Sequence, residues 1–323
     1  MSPNARDGAV AVLVFVVIVA VIVGGTAVLG TLAVMVTPTD ETEPRTYDTA
    51  ALYLERIPAE GDIEVARQDP GVIAIDRAHA NAFDERELRE LTRAITLAGH
   101  EVKFVNSQGA FPDVLNEADA LIIIDPEMPY AESTVDNVEA FAEAGGHVLL
   151  VGQPDRLEID VFVLVERESQ IDTVANRFGV SFGTDYLYDM EANDGNFRNI
   201  VTESTGHQRV ADVDSAVLYT STHVSAADGE PLLVTSDSAQ RSQTGTAGEY
   251  VVATQAGNAI AVGDANFLYG ERVNVADNNV FIASIITFLG EGEAPDDPTI
   301  FEEEEPDDPP PEPPEEDDPP FGG

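Results

Sequence analysis

Residues 71–99, GVIAIDRAHANAFDERELRELTRAITLAG, carry the pattern around which the rest of the chain is organised. An apolar run at 72–75 stops at Asp76, crosses a polar turn holding His79 and Asn81, and gives way to apolar positions at Leu88, Leu91 and Ile95. The run predicts a strand, and the later spacing predicts a helix over 84–98 with Asp84 as its N-cap and Gly99 as its stop. A second strand is predicted at 101–105. The apolar run 120–124, closed by Asp125, predicts a strand buried on both faces of a parallel sheet. Residues 133–144, capped by Ser133 and ended by Gly145 and Gly146, predict a helix, and 147–151 a fourth strand. Strand alternating with helix at this pitch predicts an α/β fold with a doubly wound, mostly parallel sheet in the order 2-1-3-4.

Beyond Pro154 the pattern weakens. Residues 160–165 predict a strand, 169–178 a helix capped by Ser169, and 179–182 another strand, whereas 183–250 read as β-rich excursions and loops. Residues 250–254 and 258–262 predict a hairpin turning at Ala256-Gly257, and 277–289 a closing helix capped by Asp277.

The ends of the chain are of another kind. Residues 9–36 are 28 positions without a charge, longer at 1.5 Å per residue than the roughly 30 Å hydrocarbon core of a bilayer. The run is about twice a signal-peptide core and no Ala-x-Ala site follows it, so it reads as an uncleaved signal-anchor. Arg6 precedes the span and only acids directly follow it, which puts residues 1–8 in the cytoplasm and the C-terminal domain outside a single-pass cell membrane. Ala20 with Gly24, and Thr26 with Gly30, have the small-xxx-small spacing that lets two anchors pack as a homodimer. Residues 37–69 read as a stalk with one short helix near 50–56, and 70–289 as the α/β domain. Residues 290–323 read as a disordered acidic tail holding ten prolines.

Charge changes the picture of the setting. The formal net charge is −44, and Lys103 is the single lysine among 16 basic residues. Residues 291–318 hold 15 acids and no Lys or Arg, leaving −29 for the rest, so the body is acidic as well as the tail. At molar salt the screening length falls to about 3 Å, which quiets self-repulsion that dilute buffer would not, and the composition therefore points to a halophile. The same charge excludes nucleic acid as a partner, because phosphate contacts need clustered Lys and Arg. With no cysteine there are no disulfides, thiolate nucleophiles or zinc-thiolate sites. G-x-S-x-G, H-E-x-x-H and a strand-linked G-x-G-x-x-G are all absent, and Lys103 lies outside any Walker-type loop.

In a 2-1-3-4 sheet a ligand sits beyond the carboxyl ends of strands one and three. Asp76 and Asp125 stand there, Asp264 ends a late strand in the same way, and His79, Asn81 and Asn266 follow close behind. These six are the candidate cleft or binding residues. Asp76, His79, Asp125 and Asp264 have the chemistry to hold a divalent metal or to do acid/base work. Aspartates at strand ends equally cap turns, so no catalytic residue is assigned and no cofactor is implied. His100 and His147, at strand starts, read as fold residues, and His207 and His223 fall in loops without a role. Asp189-x-Glu191-x-Asn193 begins like a calcium loop, but its glycine falls late, at Gly195, and position twelve is Ile200, which argues against a site.

The segments IAIDRAHANAF, AGHEVKFV, ADALIIID, GGHVLLVG, NRFGVSF, GDANFLYG and DNNVFIASIITFL resemble membrane-anchored haloarchaeal domains of unknown function with a class I glutamine-amidotransferase-like, flavodoxin-like fold. Related domains occur in the GldG-type ABC-transporter accessory protein and in an intraflagellar-transport subunit. The resemblance covers about residues 70–290 and matches Asp76, His79 and Asp264 to recurrent motifs. It implies a fold and an envelope setting, with no established reaction. Amidotransferases place a Cys nucleophile after a central strand; here Gly152-Gln153-Pro154 follows strand four, and neither Gln nor Pro can attack an amide carbonyl. The expectation is a membrane-anchored, extracytoplasmic, non-catalytic domain that binds a ligand or a protein partner of the envelope or of a transport assembly. A metal-dependent hydrolase and an ABC-transporter accessory subunit are the alternatives, and catalysis stays open.

Overall fold

In the computed structural model, which describes residues 57–59, 61–160, 163–296 and 301, the strand and helix of 71–99 open the sheet. β1 (Val72–Asp76) leads to α1 (Arg89–Ala98), whose buried Leu91, Ala94, Ile95 and Ala98 recur at helical spacing. Asp84 caps a turn rather than the helix. Its carboxylate accepts the Arg86 N–H at 2.8 Å, Glu87 reaches back to the Asp84 N–H at 2.8 Å, and α1 begins only at Arg89. Gly99 ends α1 with φ 117°, a left-handed conformation open to glycine.

β2 (Glu101–Val105) is followed by α2 (Phe111–Leu115), too short for a periodicity to announce it. β3 (Ala120–Ile124), α3 (Glu132–Glu143) and β4 (His147–Val151) come next, and Ser133 lies inside α3 instead of capping it. Where one strand is predicted at 160–165, β5 (Arg156–Asp160) and β6 (Val163–Arg167) pair as a hairpin. The helix predicted over 169–178 is a single turn, α4 (Asp172–Ala175), continued by a 3-10 turn, and Ser169 does not cap it. β7 (Val180–Phe182), β8 (Leu187–Tyr188), β9 (Asn199–Ser204) and β10 (Ser215–Tyr219) follow. β11 (Val224–Ala226), β12 (Glu230–Thr235) and β13 (Gln240–Arg241) complete the region read as excursions. β14 (Val251–Ala256) and β15 (Ala259–Val262) form the predicted hairpin, turning at Gly257 with φ 56°. α5 (Asn278–Leu289) closes the domain; Asp277 precedes it, but its Oδ2 takes the N–H groups of Asp214 and Ser215 and so ties the helix to β10.

The main sheet has nine strands in the order β10-β9-β12-β14-β15-β4-β3-β1-β2. β2, β1, β3, β4 and β15 are parallel, in the predicted 2-1-3-4 order, while every pairing from β15 to β10 is antiparallel. The sheet is therefore half antiparallel rather than mostly parallel, because strands from 183–250 extend it. Period-two alternation divides the parallel strands between two cores. Ile73, Ile75, Ile122 and Leu149 meet α1 and α5 through Leu91, Ile95, Phe281 and Ile285. Ala74, Leu121, Ile123 and Leu150 meet α2 and α3 through Phe111, Val138 and Phe141.

The domain reaches past both predicted boundaries. Ile57, Ile63 and Val65, within the stretch read as stalk, pack on the first core. Glu293 donates its N–H to the Gly145 carbonyl at 3.1 Å and Phe301 is buried in the second core, so packing continues beyond residue 290. The predicted span at 9–36, the short helix near 50–56 and residues 302–323 lie outside the described residues. Among the described residues no helix is long and apolar enough to cross a membrane.

Candidate functional site

β1 ends in the core, so Asp76 has no exposed surface and its carboxylate must find donors inside the fold. Its Oδ1 accepts the Ala78 N–H at 2.8 Å; its Oδ2 takes the Asn81 Nδ2 at 3.2 Å, the Tyr130 hydroxyl, and the His79 Nδ1 at 3.0 Å. Asn81 bridges onward, donating to the Ile124 carbonyl at 3.0 Å and accepting the His79 N–H at 3.1 Å, which stitches the β1 turn to the end of β3. Ala80, between them, takes φ 51°, a conformation that costs a residue with a Cβ. Burial, then the charge and hydrogen bond of Asp76, push the Tyr130 phenol well above its ordinary range, so it stays a donor. The His79 ring stacks on Tyr130 at 3.6 Å and meets Phe111 edge-on at 5.3 Å. With Nδ1 turned to the carboxylate, its Nε2 is buried without a hydrogen-bond partner.

Asp125, the residue after β3, is also buried and takes φ 39°. Its Oδ2 accepts Arg156 Nη1 at 2.7 Å, and Arg156 Nη2 reaches Glu127 at 2.9 Å, while Arg167 approaches the other Glu127 oxygen at 3.2 Å. The two arginines stand at the base of the β5–β6 hairpin, so that hairpin is fastened to the loop after β3. Asp264 follows β15. It accepts N–H groups from Tyr219 at 2.7 Å and Asn266 at 2.9 Å, the Asn266 side chain at 3.0 Å and Gln153 Nε2 at 3.3 Å. Burial raises its pKa to about 6, with those hydrogen bonds and Arg272 opposing the rise. Tyr269 is lifted above its ordinary range by burial and then by the negative fields of Asp125 and Asp264.

The predicted set thus divides. Asp76, His79 and Asn81 form one cluster; Asp125 binds Arg156, and Asp264 with Asn266 binds the end of β10. Among the described residues no three His, Asp or Glu side chains group as a metal site would require. Tyr130, Glu127, Arg156, Gln153 and Tyr269 complete the constellation and escape the sequence pattern. Tyr130 and Glu127 lie in the loop after β3, where the fold rule for ligand sites points without naming a residue.

His100 and His147 are fold residues. His100 is buried against Gln68 Oε1 at 3.0 Å, with burial lowering its pKa, and His147 stacks on Phe288 at 4.2 Å. His207 pairs with Glu230 at 2.7 Å near the surface. His223 is held below its ordinary pKa by burial and by Arg241. The Asp189 loop is a turn: its carboxylate takes the N–H groups of Glu191 and Ala192 and the hydroxyls of Ser236 and Ser238.

Residues 86–286 match the sequence profile of DUF4350, a domain of unknown function. The chain belongs to the DUF4350 family. The DUF4350 match takes in Asp125, Asp264 and most of the sheet but begins after the Asp76–Asn81 turn. No curated protein matches the chain. Among solved structures it is similar to the mmIFT52 N-terminal domain at TM-score 0.56 and 9% identity, over 69% of this chain and 99% of that one, a likeness of fold alone. A putative ThuA-like protein from Bacteroides uniformis matches at TM-score 0.42 and 14% identity, over 72% of this chain and 95% of that one. The glutaminase domain of Trypanosoma brucei CTPS matches at 0.34 and 10%, over 68% and 93%. Scores this low carry no argument about function.

Proposed function

We propose that the chain is a membrane-anchored, extracytoplasmic domain that binds a ligand or a partner protein in a halophile's envelope or transport assembly without catalysing a reaction. The observation that supports the non-catalytic part is the internal commitment of the strand-end carboxylates. Asp76 is bound by four groups of its own fold, Asp125 by an arginine and Asp264 by four amide N–H groups. Asp76 and Asp264, so engaged, have few lone pairs left for a substrate or a cation, whereas Asp125 keeps one buried oxygen, Oδ1, without a hydrogen-bond partner. The anchor rests on the charge-free residues 9–36 and the halophilic setting on the −44 charge with a single lysine. The 2-1-3-4 parallel half supports an amidotransferase-like assignment of the fold.

The test is metal and ligand binding by the full chain, extracted in detergent at about 2 M salt where self-repulsion is screened. Elemental analysis and thermal shifts with divalent cations should show no stoichiometric metal and no cation-dependent shift, in wild type and in Asp76→Asn alike. Metal retained by the wild type and lost from the variant would overturn the reading in favour of the metal-dependent hydrolase. That second reading keeps two supporting observations, the unpartnered His79 Nε2 and the unpartnered Asp125 Oδ1. The ABC-transporter accessory reading rests on the GldG-type resemblance and predicts that a permease or ATPase copurifies with the tagged chain. The halophilic setting predicts loss of ellipticity between about 2 M and 0.1 M salt, as the screening length grows several-fold.

A further inference from the structure

A buried ring nitrogen without a partner is an unfavourable arrangement, and one face of the His79 ring is covered by Tyr130, from a short segment that also bonds the His79 backbone, while Phe111 meets the ring edge-on. Residues 127–130, between β3 and α3, lie across it. Glu127 and Met128 donate their N–H groups to the His79 carbonyl at 3.1 and 3.0 Å, and the Tyr130 ring covers the imidazole. One end of the segment is fixed, because Pro126 accepts the Gln170 N–H at 2.7 Å, and beside it Asp125 carries a positive φ of 39°. The segment's first residue is fastened from outside by the Glu127 bridges to Arg156 and Arg167, which are partly exposed.

We infer that residues 127–130 are a latch closed over His79, and that opening it uncovers Nε2 as a lone-pair acceptor suited to a ligand bearing a hydroxyl or ammonium donor. Asp76 supplies the orientation, since a carboxylate at Nδ1 selects the tautomer whose proton is on Nδ1 and whose lone pair is on Nε2. The closed state is held by the Glu127 and Met128 N–H bonds to the His79 carbonyl, the Glu127 bridges, the Tyr130–Asp76 hydrogen bond and the ring stack. The open state relieves the unpartnered nitrogen. A segment with a few discrete fastenings and one unsatisfied group beneath it has the makings of a two-state element.

The test measures ring-nitrogen reactivity in the full chain at molar salt, as per-histidine carbethoxylation rates by diethyl pyrocarbonate read by mass spectrometry. His207, partly exposed and paired with Glu230, serves as the near-surface reference. His100, buried at the opposite end of the parallel strands, reports global unfolding. In the wild type His79 should react far more slowly than His207. In Glu127→Gln, with Tyr130→Phe as an independent release of the second fastening, the His79 rate should rise roughly tenfold as local opening becomes easier, with His100 unchanged. Wild-type His79 reacting as fast as His207, His79 and His100 rising together, or no change in either variant would each overturn the inference.

Discussion

Asp264 and Asp189 each sit just past a strand, each has almost no exposed surface, and each takes two backbone N–H groups, yet their acidities move in opposite directions. At Asp264, beside the parallel half, burial prevails over the hydrogen bonds and raises the pKa to about 6. At Asp189, after β8 of the separate two-stranded β8–β13 sheet, burial also raises it, but the Ser236 hydroxyl, the Glu191 and Ala192 N–H groups and the Ser238 hydroxyl outweigh that and hold the carboxyl below its ordinary value. Asp264 lies deep between strand ends, whereas Asp189 lies in a turn under a thin cover. Depth decides whether the same count of donors leaves a carboxylate comfortable. Asp264 is therefore held at a cost in burial that Asp189, whose donors outweigh its burial, does not carry.

The largest test of that contrast is Asp76→Ala. It leaves the Ala78 N–H, the Tyr130 hydroxyl and one side of the His79 ring without their acceptor in a site closed to water, a loss of about 3–5 kcal/mol to be read from urea unfolding in high salt. Asp189→Ala, in its thinner cover, should lose clearly less. Equal losses would show that depth is not the deciding difference.

Next comes pH. A carboxyl whose pKa is raised on folding binds its proton more tightly in the folded state, so its contribution is fully present below about pH 4 and is lost as pH rises through about 6. The rise of about two units corresponds to about 3 kcal/mol. Unfolding free energies at pH 4, 5, 6 and 7 in high salt should fall by that amount more steeply for the wild type than for Asp264→Asn. The asparagine turns a donor toward the Tyr219 N–H and lowers stability at every pH, but it cannot titrate, so the difference in slope isolates the group. A slope shared by both proteins would place the titration elsewhere.

The same division explains what the residues announce in advance. β1 and β3 are short apolar runs with an aspartate at or just past the end, and Asp76, His79 and Asn81 fall within one turn, so local pattern brings them together. Tyr130 joins Asp76 from 54 positions away and Arg156 joins Asp125 from 31, contacts that no local period encodes. β9 pairs with β12 and β10, and a register shift in β12 breaks the alternation that would mark it as a strand of the main sheet, so 183–250 reads as β-rich excursions and loops rather than as an extension of that sheet. Grouping Asp125 and Asp264 with Asp76 follows from where the strands end; it fails as a metal set because strand ends fix positions and not partners.

The smallest effect is the sharpest probe of the comparison. Ser238→Ala removes one hydroxyl that reaches both Asp189 oxygens, at 2.9 and 2.8 Å, while Ser236 and the two N–H groups remain. The loss should be about 1 kcal/mol near neutral pH, the ordinary worth of one such bond. Its sign with pH is the telling part. A carboxyl held below its ordinary pKa contributes stability that is present above the unfolded value and is lost as pH falls through the folded one. With a donor removed, the Asp189 pKa moves back up and the acid-side loss shrinks, so wild type and variant should converge in stability as the pH is lowered toward 3. For Asp264 the convergence runs the other way, and the two aspartates would then be distinguished by pH alone. Curves for Ser238→Ala that stay parallel to wild type across that range would mean the hydroxyl packs against Asp189 without stabilising its charge.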